Sequence, residues 1–141
     1  KYPHDGVHVE WSVNEKAAME VAASASYSGA RTLVTMKQVG LNVASDPLMS
    51  LAYVGIKGGM VIVSADDPGP ISSQTEQDTR MFADFCRIPV FDPSTPEEAY
   101  QMIQDAFDYS EKYKTPVQAD NKSVSCIRIH RGKRRVEGKG I

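Results

Sequence analysis

The sequence predicts an α/β fold in which a parallel sheet forms the middle of three layers, with helices on both faces. Short apolar segments alternate with helical stretches four times along the chain, and the connections between them are short. The segment TLVTM, residues 32–36, is β-branched and does not alternate with polar residues, as in a strand covered on both faces. With 141 residues, the chain has the size of one domain.

The first quarter of the chain is predicted to place a helix between two strands. The segment VHVEW, residues 7–11, is a short strand candidate. A helix is expected from Ser12 to Ser28, followed by Gly29, since glycine often follows the last helical residue. The strand at 32–36 comes next.

A loop and a short helix are expected after that strand. The loop is VGLN, residues 39–42, and the helix is SDPLMSLAYV. Ser45 or Asp46 would cap this helix and Pro47 would lie in its first turn. Gly55 would end it.

The remaining elements continue the alternation of strands and helices. They are a strand at 59–65, which is the clearest in the chain, a loop at 66–73, a helix at 74–87, a strand at 89–92, a helix at 95–114 and a strand at 116–119. In the helix at 95–114, Thr95 is the expected cap, Pro96 takes the first position and Glu98 completes a capping box.

Charge is distributed unevenly along the chain. Residues 128–141 carry six Lys/Arg and one Glu, a charge of +5, whereas the rest of the chain carries −7. Two interpretations of this basic tail are open, a nucleic-acid or phosphate contact and a solvated terminus. The acidic body offers no second basic patch that would support nucleic-acid binding.

Composition argues against a membrane or secreted protein. No apolar run approaches the roughly 20 residues that a membrane span needs, and the N-terminus does not resemble a signal peptide. The two cysteines, Cys86 and Cys126, lack metal-ligand spacing. We expect them to stay reduced in a cytoplasmic protein.

A ligand site is expected where strands lead into helices, because open parallel sheets bind ligands outside their carboxyl ends. The polar segments there are EWSVNE, TMKQVGLN and SADDPGPISSQTEQD. Glu15 has two interpretations. Ser12 to Glu15 fits the S-x-x-E capping box, as does Ser73 to Glu76, but Glu15 also places a carboxylate at the binding edge of the sheet.

The remaining polar residues indicate which kinds of catalytic or metal site the sequence supports. Asp66 and Asp67 could be metal ligands or could form a turn and a helix cap. No Walker P-loop, G-x-G-x-x-G turn or zinc motif is present. The three histidines lie beside no serine or cysteine in a catalytic pattern, which argues against nucleophilic hydrolysis.

Three motifs carry a resemblance to a known family. EWSVNEK, VTMKQVGLNVASDPL and ADDPGPISSQTEQDTR, within residues 6–116, closely resemble the large (alpha) subunits of indolepyruvate ferredoxin oxidoreductases. These subunits belong to the thiamine-diphosphate-dependent 2-oxoacid:ferredoxin oxidoreductases. The resemblance implies that residues 1–119 form the pyrimidine-type domain of the thiamine-diphosphate-binding fold, beginning after the family's usual first strand–helix unit, and that residues 120–141 are a basic tail.

The resemblance also implies roles for particular residues. Glu15 matches the glutamate that bonds N1′ of the cofactor's aminopyrimidine ring, and so helps the 4′ nitrogen to take the proton from C2. The loop that approaches the cofactor corresponds to Val39, Gly40, Leu41 and Asn42. A further set of residues would line the substrate mouth or a subunit contact, namely Ser72, Ser73 and Gln74.

The resemblance further implies which molecules the enzyme would use. These are a 2-oxoacid such as indolepyruvate, coenzyme A and ferredoxin, and the enzyme would be a dimer or hetero-oligomer with no membrane or nucleic-acid partner. The family's G-D-G diphosphate motif and its cysteine-rich iron–sulfur region are absent from the sequence. Mg²⁺ and the iron–sulfur clusters are therefore expected on other parts of the complex, and a diphosphate-binding domain or subunit would have to join this chain.

Two alternatives to this function stay open at this stage. One is the alpha subunit of a non-oxidative thiamine-dependent 2-oxoacid decarboxylase. The other is a non-catalytic α/β interaction module whose basic tail binds nucleic acid.

Overall fold

The computed structural model describes residues 6–67, residue 69 and residues 73–122. Its elements are α1 (Glu15–Tyr27), β1 (Thr32–Lys37), α2 (Gln38–Val43), α3 (Ser45–Val54), β2 (Met60–Asp66), α4 (Arg80–Cys86), β3 (Val90–Phe91), α5 (Pro96–Tyr113) and β4 (Val117–Lys122). None of the helices in this part of the chain is both long and apolar enough to cross a membrane.

The strands form one parallel sheet in the order β1-β2-β4-β3. Helices α1 to α4 cover one face of the sheet, and α5 covers the other. The predicted three-layer α/β fold is confirmed. Because all strands run the same way, their carboxyl ends meet at one edge, where β1 leads into α2 and β2 leads into the segment before α4.

Strand β2 lies at the centre of both hydrophobic cores. Met60 and Ile62 contribute to the core under α1, α2, α3 and α4, whereas Val61 contributes to the core under α5. All three side chains are completely buried. Burial on both faces explains why the predicted strand at 59–65 reads as a continuous apolar run.

Strand β1 is covered on one face, so the prediction that residues 32–36 are covered on both is wrong. Val34 and Met36 are buried, but Leu33, on the opposite face, is 52% exposed. The reason is position: β1 is an edge strand, and α5 packs against β2 and β4. The β-branched composition of β1 did not reveal this asymmetry.

The predicted strand at residues 7–11 is also wrong. These residues form no strand, and Trp11 is fully exposed. The alternating pattern is present in the sequence, but no strand among the described residues pairs with this segment, and a strand requires a hydrogen-bonded neighbour.

Helix α1 begins at Glu15, three residues after the predicted start at Ser12. Its cap is Asn14, whose side-chain oxygen accepts a hydrogen bond from the Ala17 amide at 2.8 Å. The predicted Ser12–Glu15 capping box is therefore wrong. Asn14 is itself a strong capping residue, and it makes the contact at the position where the chain turns.

Two expectations about the segment after β1 are wrong. Residues 39–42 belong to helix α2 instead of a loop. Helix α3 is not capped by Ser45 or Asp46; its cap position is Ala44, which joins it directly to α2. Asp46 instead forms an ion pair with Lys16 at 2.8 Å. The predicted end of α3 at Gly55 is confirmed, with φ of 81°.

Helix α4 is much shorter than predicted. It runs from Arg80 to Cys86, so the predicted helical start at residue 74 and the Ser73–Glu76 capping box are wrong. Contacts to α2 and to the end of β2 hold residues 73–79 in a non-helical path. Tertiary hydrogen bonds thus override the local helix signal.

The elements of the second half are otherwise confirmed. Short strands occupy the predicted positions 89–92 and 116–119, and β4 continues to Lys122. In α5, the Thr95 hydroxyl accepts from the Glu98 amide at 3.1 Å, and Glu98 accepts from the Ser94 amide at 2.8 Å. The predicted reciprocal cap is present. In the usual capping box the glutamate accepts from the amide of the cap residue itself, whereas here Glu98 accepts from the amide of the residue before it.

Candidate functional site

Helices α1 and α2 bring together two residues that the sequence resemblance assigns to the cofactor. Glu15 is the first residue of α1, and Gly40 lies in α2, just beyond the carboxyl end of β1. A Cβ atom added to Gly40 would lie 2.6 Å from Glu15 Cγ, 2.9 Å from Oε1 and 3.0 Å from Cδ. The Glu15 side chain therefore lies directly against the Gly40 backbone, in space that any other residue would fill.

The Glu15 side chain does not cap its own helix. It is half-buried, and within the part of the chain that the structure describes it makes no hydrogen bond or ion pair. The capping of α1 is done by Asn14, and the neighbouring Lys16 turns to Asp46. The amides of the first helical turn favour negative charge at this position. The interpretation of Glu15 as a simple cap does not fit this geometry.

The Glu15–Gly40 arrangement fits a cofactor that offers a ring nitrogen. A carboxylate without a protein partner can bond such a nitrogen, and the missing Cβ of Gly40 lets the Glu15 side chain lie against the α2 backbone. In thiamine diphosphate, the nitrogen would be N1′ of the aminopyrimidine. The observation that supports this fit is the close contact between the Glu15 side chain and the Gly40 backbone.

The other predicted cofactor neighbours lie around Gly40 but differ in exposure. Leu41 is completely buried in the core with Met19, so its side chain packs inward. Val39 is half-buried. Asn42 is exposed and forms a two-way amide pair with Gln77, with distances of 2.9 and 2.8 Å.

The residues predicted to line a substrate mouth lie on the segment before α4. Ser72 is outside the described residues. Ser73 bonds the Asp67 carboxylate, and Lys37 donates to both, at 3.1 Å in each case. Gln74 is exposed. The structure thus places Ser73 in a polar cluster at the ends of β1 and β2.

Asp66 has a structural role in the hydrogen-bond network of the sheet. The sequence alone allowed it to be either a metal ligand or part of a turn. It is 2% exposed and accepts hydrogen bonds from the Thr79 amide at 2.7 Å, the Thr79 hydroxyl at 3.0 Å and the Ser64 hydroxyl at 3.0 Å. The buried Gln118 amide donates to Thr79 as well. This network joins β2, β4 and the start of α4, and no local sequence signal links residues thirteen positions apart.

Three carboxylates, those of Asp66, Asp78 and Asp120, have oxygens within 4.8 Å of one another. The guanidinium of Arg80 provides the positive charge beside them. It pairs with Asp78 and with Asp92, and its Nε lies 3.7 Å from Asp120. Hydrogen bonds to Asp78 and Asp92 raise the pKa of Arg80 above its ordinary value, so the cation is permanent. A cluster that already holds a cation gives no support for a metal site.

Comparison with known proteins agrees with the motifs and the fold. The family described as "Pyruvate flavodoxin/ferredoxin oxidoreductase, thiamine diP-bdg" matches residues 4–120. The indolepyruvate oxidoreductase subunit IorA of Methanothermobacter marburgensis is 48% identical over 135 residues, covering 94% of this chain and 22% of that protein. The same subunit of Pyrococcus horikoshii is 55% identical over 108 residues, covering 77% of this chain and 17% of that protein.

A more distant relative is the sulfopyruvate decarboxylase subunit alpha of Methanocaldococcus jannaschii. It is 29% identical over 112 residues, which cover 75% of this chain and 65% of that protein. By contrast, this chain spans about a fifth of the length of its IorA relatives. The resemblance inferred from the three sequence motifs is confirmed, and the family match extends over most of the chain. The chain belongs to the thiamine-diphosphate-binding domain family of the pyruvate flavodoxin/ferredoxin oxidoreductases.

Proposed function

We propose that residues 1–119 are the pyrimidine-binding domain of a thiamine-diphosphate-dependent 2-oxoacid:ferredoxin oxidoreductase. The observation that supports this most strongly is the Glu15 carboxylate, which has no partner among the described residues and lies against the Gly40 backbone. The family membership of the chain supports thiamine diphosphate as the cofactor, and the contact with Gly40 supports Glu15 as the residue that would meet it.

Glu15 would act on the aminopyrimidine ring. Thiamine diphosphate, when bound, supplies the carbanion chemistry at C2. The carboxylate of Glu15 would bind N1′ of the ring and would hold the proton that it shares with this nitrogen. This is general acid–base catalysis through the ring, and it requires the carboxylate within hydrogen-bonding distance of N1′.

The neighbouring residues would shape the pocket. Gly40 would leave room for the Glu15 side chain to meet the ring from beside α2, while Val39, Leu41 and Asn42 would neighbour the ring through their backbone or their exposed atoms. We further propose that Ser72, Ser73 and Gln74 lie at the entrance used by the substrate or by a partner subunit.

The substrate we propose is an aryl 2-oxoacid such as indolepyruvate, because the names of the 48% and 55% identical relatives specify indolepyruvate. The complete reaction would be an oxidative decarboxylation that yields an acyl-coenzyme A and passes electrons to ferredoxin. It needs a diphosphate-binding domain or subunit, which would also hold Mg²⁺, and iron–sulfur clusters on other parts of the complex. The enzyme would be cytoplasmic and oligomeric.

The proposal is tested with Glu15→Gln in the complete enzyme. The rate at which the C2 proton of bound thiamine diphosphate exchanges with deuterium should fall by about 100-fold or more, as expected when a proton-transfer group is lost. A matched control is Glu20→Gln, an exposed glutamate on the same helix, which should leave the rate unchanged. Normal C2 exchange in the Glu15→Gln enzyme would contradict the proposal.

A second candidate is the alpha subunit of a non-oxidative 2-oxoacid decarboxylase. It is favoured by the relative from Methanocaldococcus jannaschii, of which this chain covers 65%. The two functions differ in their electron carriers. Iron and acid-labile sulfide in the purified complex support the oxidoreductase, and their absence together with release of an aldehyde supports the decarboxylase.

A further inference from the structure

Residues 73–77 form a strap that crosses helix α2. Three of its residues contact the segment 37–42: Ser73 accepts from Lys37 at 3.1 Å, the Thr75 carbonyl accepts from the Gln38 side chain at 3.0 Å, and Gln77 pairs with Asn42. The strap is therefore bonded to the end of β1 through Ser73 and to α2 through Thr75 and Gln77.

Two aspartates at the end of β2 anchor the strap. Asp67 bonds Ser73, the first strap residue. Asp66, buried in the sheet, bonds the amide and hydroxyl of Thr79, two residues after the last strap residue. The two ends are thus held by the last residue of β2 and by the residue after it, so the strap has a defined path over α2.

Helix α2 lies between the strap and Glu15. Gln38 and Asn42 are four residues apart and share one face of the helix. At about 100° per residue, Gly40 projects from the opposite face. That face meets Glu15.

Helix α2 depends on such contacts for its position. It has six residues, includes a glycine and has no side-chain cap at its start. A helix of this length has little stability of its own, and its place is set by tertiary contacts. On one side these are core contacts through Leu41 and Ala44, and on the strap side they are the bonds of Gln38 and Asn42.

We propose that the strap is a positioning element for Glu15: by holding α2 from the face opposite Gly40, it fixes the distance between the Gly40 backbone and the Glu15 carboxylate. Gln77 and Gln38 are the positioning residues. This inference rests on the proposed cofactor role of Glu15. It predicts that loss of a strap contact slows proton transfer at C2 without abolishing cofactor binding.

The test uses the complete enzyme with Gln77→Ala. C2 exchange per bound thiamine diphosphate should fall about five- to tenfold, because a small displacement of a catalytic group lowers the rate sharply. The dissociation constant of thiamine diphosphate should change less than twofold. The control is Glu76→Ala, an exposed neighbour on the strap, which should keep the wild-type exchange rate.

A rescue variant separates positioning from general loss of structure. Gln77→Glu keeps a side-chain oxygen that can accept from the Asn42 amide and leaves Asn42 itself unchanged. It should restore C2 exchange to within about twofold of wild type. Thermal unfolding of the variants is followed in parallel, so that exchange is compared among folded enzymes.

The outcomes distinguish this inference from the proposed function. If Glu15→Gln slows C2 exchange but Gln77→Ala does not, the strap has no positioning role and the function of Glu15 stands. If Gln77→Glu is as slow as Gln77→Ala, the hydrogen bond between residue 77 and Asn42 is not the determinant and the inference is overturned. If Glu15→Gln has no effect, the proposed function fails and this inference fails with it.

Discussion

Substituting Gly40 by alanine tests the contact between α1 and α2. The added Cβ would lie 2.6 Å from Glu15 Cγ, whereas ordinary van der Waals contact begins at 3.4 Å, so the two groups must separate by about 0.8 Å. Glu15 is a flexible, half-buried side chain and can rotate away at a cost of about 0.5–1.5 kcal/mol. In the helix, alanine is favoured over glycine by about 1 kcal/mol. The two terms nearly cancel, so the free energy of unfolding should change by less than about 1 kcal/mol.

The catalytic effect of Gly40→Ala should be much larger than its effect on stability. Displacing a catalytic carboxylate by about 1 Å can lower the rate about 100-fold, which corresponds to about 2.7 kcal/mol of barrier. The assay is kcat/KM of the complete enzyme, with urea unfolding as the measure of stability. In a Glu15→Ala background, where the clash is removed, Gly40→Ala should cost nothing further. Wild-type kcat/KM in the single variant would refute the reasoning.

Three further variants test the fold and its charges. Thr79→Val removes a hydroxyl that is hydrogen-bonded to buried Asp66. The free energy of unfolding, measured by urea titration, should fall by about 1–3 kcal/mol. An unchanged free energy of unfolding would contradict the role of the Asp66–Thr79 network. Hydrogen bonds and charge from Arg31 lower the pKa of Glu111, so the unfolded state binds this proton more readily and stability falls as the pH drops below the ordinary carboxyl range. Arg31→Gln should reduce that acid sensitivity in thermal melts, and an unchanged pH profile would contradict it. Burial raises the pKa of the Cys86 thiol. In a Cys126→Ser background, Cys86 should therefore react with iodoacetamide at pH 7 more slowly than a free thiol does. Reaction at the rate of a free thiol would count against the burial of Cys86.

The order of elements could be predicted from the sequence where apolar composition and caps agree. Strand β2 is apolar on both faces because both are buried, and α5 begins with the Thr95, Pro96 and Glu98 signals that the structure retains. The exposed face of β1 could not be predicted, since it depends on which strands α5 covers. The strand pattern at 7–11 failed for the same kind of reason, because strand formation depends on a neighbour that a local pattern does not reveal.

The candidate site was only partly predictable. Glu15 and Gly40 could be named from the family resemblance, but their direct contact is a tertiary feature. The local motif at Ser12–Glu15 pointed to a cap, and Asn14 took that role instead. The local sequence predicted a helix from residue 74 and did not indicate the Asp66–Thr79 hydrogen bond. With that bond in place, α4 begins only at Arg80.

The most direct measurement is a structure of the complete enzyme with thiamine diphosphate bound. It should place an oxygen of the Glu15 carboxylate about 2.6–3.2 Å from N1′ of the aminopyrimidine ring. A Glu15 side chain turned away from the ring, or bonded only to the amides of its own first helical turn, would contradict the account.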